Sequence, residues 1–163
     1  MFEAYSTRAR QVIFVARLKA GQRGAEMIEV DDMVAALVIE DQDIVEGLLS
    51  ESFETNDSST EFRFKIHHAF FSPDVASETL RKIEELLPKS NPVANSVEIP
   101  LSPSLKRTLD FVRVLVERLE QNHVEPLHLL AAVLAEESSN GARILKDSGI
   151  TQERVFEAIR GEM

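Results

Sequence analysis

The sequence predicts an all-α protein, and three observations carry that expectation. Glycine and proline are scarce, at 6 each in 163 residues, whereas strand-rich chains need frequent turn residues. Aromatic residues make up only 6% of the chain. Apolar residues also recur at steps of three and four: Leu105, Leu109, Val112, Val116 and Leu119 share one helical face.

Each element follows from local signals. Ser6 can cap a first helix whose stripe is Ala9, Val12, Ile13, Ala16 and Ala20, ending near Gly21 or Gly24. A second fits Asp31 to about Glu40, through Met33, Val34, Leu37 and Val38, and a shorter third fits Gln42 to about Ser50. Ser72-Pro73-Asp74 opens a fourth that carries Val75, Leu80, Ile83, Leu86 and Leu87 until Pro88 stops it. After a loop rich in Pro, Asn and Ser, helices are expected near 103–121, 126–137, 141–147 and 152–160. Ser102-Pro103 suits a helix start, because proline's missing donor costs nothing at the first position. Phe111, Val114 and Leu115 lie off the stripe of that helix, so it should pack against neighbours on two sides.

The two sets of four helices read as one motif used twice. An offset of 96 carries Ser6 to Ser102 and runs without a gap to Glu40 and Glu136, pairing Ile13 with Leu109, Ile28 with Val124 and Met33 with Leu129. Six of 36 aligned positions are identical, against about two by chance, and the apolar registers match. The expected architecture is a pseudo-twofold bundle of two four-helix repeats in a single domain, 1–163. Repeat one covers 1–88, a linker 88–101 and repeat two 102–163. An insertion at about 53–71 breaks the symmetry. Its alternation of Phe62, Phe64 and Ile66 with Arg63, Lys65 and His67 predicts a short β element at about 61–71, either on the bundle surface or as a small hairpin. Phe70 and Phe71 should then staple the fourth helix to the core.

Composition excludes several function classes. With 18 basic and 28 acidic side chains the net charge is −10, which disfavours nucleic acid as a partner. Without cysteine there are no disulfides and no thiol chemistry. The apolar run Leu129 to Ala135 is seven residues long, against about 20 for a membrane span. The expectation is a soluble, cytoplasmic protein without membrane contact. No glycine precedes a lysine, so no phosphate-cradling loop is present. Neither His67-His68 nor His123 and His128 has a metal-binding spacing. No catalytic residue, metal or cofactor is expected. Residues 1–25 carry five bases against one acid, and residues 26–57 carry eleven acids and no base. These charges either neutralise one another across the first repeat or form an acidic patch that attracts basic partners.

The opening Met1-Phe2-Glu3-Ala4-Tyr5-Ser6-Thr7-Arg8-Ala9-Arg10-Gln11-Val12 and the later Val124-Glu125-Pro126-Leu127-His128-Leu129-Leu130-Ala131-Ala132-Val133-Leu134-Ala135-Glu136 resemble the Clp N-terminal repeat domain. That domain precedes the ATPase rings of Clp unfoldases such as ClpA, ClpB and ClpC. The resemblance implies two copies of a four-helix repeat and a non-catalytic module that recruits adaptors or unfolded clients to an AAA+ Clp unfoldase. The alternative is a stand-alone Clp-repeat regulator that competes for adaptors or clients without an ATPase of its own. The family's Thr-Glu-His falls on Val30-Asp31-Asp32 and on Pro126-Leu127-His128. In ClpC-like members the Glu of each repeat helps to hold phosphoarginine-marked clients. Asp31 keeps a carboxylate there and Leu127 does not, which leaves a single guanidinium site at Asp31. The competing role for Asp31 is helix capping. Asp31, Asp32, Leu127 and His128 are thus the candidate partner-binding residues.

Overall fold

A computed structural model describes residues 2–44 and 69–161. Among these it contains seven helices: α1 (Thr7–Gln22), α2 (Val30–Asp41), α3 (Pro73–Leu86), α4 (Pro103–Arg118), α5 (Pro126–Ala135), α6 (Asn140–Asp147) and α7 (Gln152–Ile159). The helix expected over 42–50 and the β element at 61–71 lie almost wholly outside the described residues. Of the former, Gln42 is instead the C-cap of α2.

Local chemistry sets the helix starts. Ser6, Ser72, Ser102, Ser139 and Thr151 each accept a hydrogen bond from an amide three residues on, at 3.0–3.3 Å. Such caps satisfy amides that the helix itself cannot, and each contributes about 1 kcal/mol. Helices α2 and α5 are apolar on nearly every side and form the centre of the two repeats; Met33 to Ile39 and Leu129 to Leu134 are buried throughout. Each packs against its own repeat's outer helices: α1 and α3 on α2, α4 and α7 on α5. The centres also touch each other, and α1 reaches α5 as α4 reaches α2.

The twofold relation extends to single backbone bonds. Ser6 N donates to Val124 O and Val124 N to Ala4 O, both at 2.9 Å. At positions shifted by 96, Ser102 N donates to Ile28 O at 2.9 Å and Ile28 N to Pro100 O at 2.8 Å. The two parallel bridges, Tyr5 with Val124 and Ile28 with Leu101, are therefore images of each other. In both, the lead into one repeat's first helix pairs with the lead into the other repeat's second.

Packing amends the expected stripes. In α1, Val15 and Leu18 are buried as well and Ile13 only partly, because the helix faces both α2 and α5. In α4, Leu115 is buried while Val114 is 41% exposed. Leu86, expected on the inner face of α3, is 54% exposed, and the buried residues there are Ala76, Thr79 and Ile83. Phe71 is buried and Phe70 partly so, and both are fixed by polar contacts: their amides donate to the two Asp41 carboxylate oxygens at 2.7 and 2.9 Å. Charge neutralisation within the first repeat is seen where Arg8 pairs with Glu40, Arg23 with Asp32 and Lys19 with Glu84.

Candidate functional site

The four candidate residues occupy the first turns of α2 and α5, at matching positions. Asp32 and His128 are the third residues of their helices and both face inward. Asp32 is fully buried. Its Oδ2 accepts from the Glu29 amide at 2.9 Å, and its two oxygens receive Nε and Nη2 of Arg23, each at 2.8 Å. His128 is 1% exposed, and its Nδ1 accepts from the Glu125 amide at 2.8 Å. The two repeats thus solve one capping problem differently: Asp32 needs a cation, while His128 is neutral and has Leu119 where Arg23 stands in the first repeat. Both side chains position the helix starts; neither presents a free group to a partner.

His128 gives the chain a testable acid response. Burial holds its pKa below the ordinary 6.5, against a smaller upward pull from Glu125. With Nδ1 accepting, the ring proton sits on Nε2, which is buried and has no partner among the described residues. Because the folded value lies below the unfolded one, the unfolded chain binds more protons as pH falls through 6.5. Stability present above pH 6.5 is therefore lost on acidification. Urea titrations from pH 7.5 to 5 should show this loss, and His128→Asn, whose Oδ1 can still accept the Glu125 amide, should show a shallower one. Identical pH profiles for the two proteins would refute the assignment.

Asp31 and Leu127 face outward, and there the repeats diverge. Asp31 reaches across the repeat boundary: its Oδ1 accepts from the Gly141 amide at 2.7 Å and the Ser139 hydroxyl at 3.1 Å. It caps α6, not its own helix, and the positive end of that helix favours its charge. Gly141 permits the approach, since a Cβ there would lie 2.7 Å from Val34 Cγ2 and 2.8 Å from Asp31 Oδ1. Among the described residues no donor reaches Oδ2. Asp31 lines a cleft of about 540 Å³ between the α2 start, the α3 end and the α6 start. Its wall mixes carboxylates (Glu26, Glu29, Glu136), the cations Arg23 and Lys89, and apolar groups that include the exposed side chains of Met27 and Leu86.

Leu127 lines a second cleft, of about 670 Å³. Five positions connect the two under the 96-residue offset: Glu29, Val30, Asp31, Ser104 and Glu136 in the first, and Glu125, Pro126, Leu127, Arg8 and Glu40 in the second. The clefts are twofold mates. The second has an apolar floor made by Leu37, Phe70, Phe71, Leu127 and Leu130.

Sequence reasoning placed Asp31 and Leu127 at equivalent points but missed Arg23, nine residues from its partner Asp32, and Asp41, Ser139 and Gly141, whose partners lie 29 to 110 residues away. Gly141 did carry a signal, because glycine in a helix's first turn costs stability unless something packs close. No helix among the described residues is long and apolar enough to cross a membrane.

Comparison with known proteins supports the same grouping. Two curated relatives, the chloroplastic chaperone ClpC2 of Oryza sativa subsp. japonica and the chloroplastic chaperone ClpC of Pisum sativum, are 25% and 24% identical over 150 residues. These alignments cover 91% of this chain but only 14% of each relative. A chain solved in work on a malarial protein secretion system superposes with a TM-score of 0.68 at 16% identity, covering 98% of this chain and 94% of that one. The N-terminal domain of ClpD from Arabidopsis thaliana gives 0.64 at 15% identity, covering 98% and 97%. At such identities these likenesses speak to the fold. The family model described as the Clp repeat (R) N-terminal domain matches residues 72–159. With more than half its residues so matched, this chain belongs to the Clp repeat N-terminal domain family, a family of non-catalytic, protein-binding modules.

Proposed function

We propose that this chain recruits adaptor proteins or unfolded clients to an AAA+ Clp unfoldase, acting as one unit built of repeats 1–88 and 102–163 joined by the linker 88–101. The observation that carries this reading is the pair of twofold-related clefts at the family's Thr-Glu-His positions. A groove of this size can take one or a few side chains of an extended segment. Binding of the purified chain to a Clp ATPase ring and to model unfolded clients tests it; no binding to either at low salt would end it. A regulator that competes for the same adaptors without an ATPase is the second reading. The coding sequence downstream of codon 163 separates the two: a Walker motif in frame supports recruitment, and a stop codon supports competition.

In the first cleft, Asp31 is the residue we assign to a guanidinium, with Oδ1 capping α6 and Oδ2 toward the client. Asp31→Asn retains an acceptor for the Gly141 amide and removes the charge. An arginine-rich or phosphoarginine peptide should then bind at least tenfold more weakly, since a charge-assisted hydrogen bond is worth about 1.5–3 kcal/mol, while thermal stability changes little. Unchanged affinity would leave Asp31 as an inter-repeat cap alone. Asp32 is unsuitable for this test, because its carboxylate is committed to Arg23.

A further inference from the structure

We infer that the two clefts take different side chains, and that the cleft at Leu127 holds an apolar anchor, leucine or phenylalanine, from a basic segment of a client or adaptor. This rests on the protein-binding reading above and specifies the partner. The two clefts share five twofold-related positions at the starts of α2 and α5, while their remaining walls differ. Where the first has Asp31 with its charge, the second has Leu127 beside Leu37, Leu130, Phe70 and Phe71. A guanidinium entering there would lose hydration and find no carboxylate at position 127, whereas an apolar side chain gains in proportion to the area it buries. The floor is also held in shape, since Asp41 fixes the amides of Phe70 and Phe71 and Arg154 lies 5.7 Å over the Phe70 ring.

Charge selects the context of the anchor. Three carboxylates, Glu40, Asp41 and Glu125, line this cleft against the guanidinium of Arg8, which pairs with Glu40, and that of Arg154 over the Phe70 ring. On a chain of net charge −10, such a rim draws lysine or arginine flanks and repels acidic ones. The anchor therefore sits among basic residues.

Fluorescence anisotropy with the full chain at low salt tests this with three labelled peptides: a leucine and phenylalanine anchor between lysine and arginine flanks, the same peptide with alanine anchors, and the same anchors between glutamate flanks. The first should bind, and the other two at least tenfold more weakly. Leu127→Glu should weaken the first peptide at least tenfold and strengthen an arginine-rich peptide, a reciprocal change that partial unfolding cannot mimic. Val114→Glu, a like change on the exposed face of α4, should leave both affinities as they are. Should Leu127→Glu fail to fold, Leu127→Gln carries the same test of the apolar peptide. Equal binding of leucine and alanine anchors, or affinity for the first peptide indifferent to position 127, would overturn the inference and leave the module's general role standing. A chain that binds no peptide, client or ring would instead remove the protein-binding reading itself.

Discussion

Arg23→Ala is expected to destabilise the fold by about 3–5 kcal/mol, the usual cost of leaving one member of a buried ion pair alone. Asp32 is fully buried, and the Arg23 side chain is 12% exposed. Two parallel bonds of 2.8 Å join them, and Arg23 also donates to Pro88 O at 3.3 Å. The Coulomb attraction alone does not make the pair stabilising, because both charges give up hydration. The loss comes from the carboxylate left behind. Urea unfolding at pH 7 measures it directly, and a midpoint unchanged from wild type would show that water reaches Asp32 freely. The second repeat suggests a rescue: Arg23→Leu with Asp32→His copies Leu119 and His128, and should recover part of what Arg23→Ala loses.

The second large effect is expected at Gly24. The residue has φ +71°, but its counterpart Glu120 adopts φ +53° with a side chain present, so backbone conformation alone does not demand glycine. Close approach does. A Cβ on Gly24 would lie 2.8 Å from the Ser90 carbonyl carbon and 2.9 Å from that of Asn91, and closer still to Asn91 O. These are backbone atoms of the linker and cannot rotate aside. Gly24→Ala therefore adds left-handed strain of about 1–2 kcal/mol to an overpacking cost of about 1–3 kcal/mol. It should also lift the linker from α1, breaking the bonds from Ser90 N to Arg23 O at 2.7 Å and from Val93 N to Gly21 O at 2.8 Å. A lowered thermal midpoint together with faster protease cleavage between 88 and 100 is the expected signature. Glu120→Ala, at the twofold-related position, should show neither.

Much of the fold was legible because its signals are local. Serine caps, Pro73 and Pro103 at first helical positions, and three-four apolar spacing placed the described helix starts within about one residue. The repeat was legible because α2 and α5 are nearly featureless apolar cores, and their alignment fixes the offset for everything around them. What the sequence could not reveal depends on which surfaces meet. Leu86 shares the apolar character of Ile83, yet only Ile83 faces α2; Val15 and Leu18 lie off the narrow stripe and are covered because α1 has two neighbours. The site divides in the same way. Asp31 and Leu127 could be matched by counting, whereas the bonds from Asp31 to Ser139 and Gly141 join residues more than a hundred positions apart, and no periodicity reports them.

The crossed pairing of the leads has a consequence for how the molecule opens. Neither repeat holds its own entry segments: Ser6 N donates to Val124 O and Val124 N to Ala4 O, just as Ser102 N donates to Ile28 O and Ile28 N to Pro100 O. The bridge of Ile28 with Leu101 lies within the chain and opens only if the two halves part there, whereas that of Tyr5 with Val124 can also open by fraying of the first few residues. In amide hydrogen exchange, Ile28 and Ser102 should belong to the slowest class and exchange only on global unfolding, with Ser6 and Val124 exchanging faster. Apart from that fraying, the protein should lose structure in a single cooperative step.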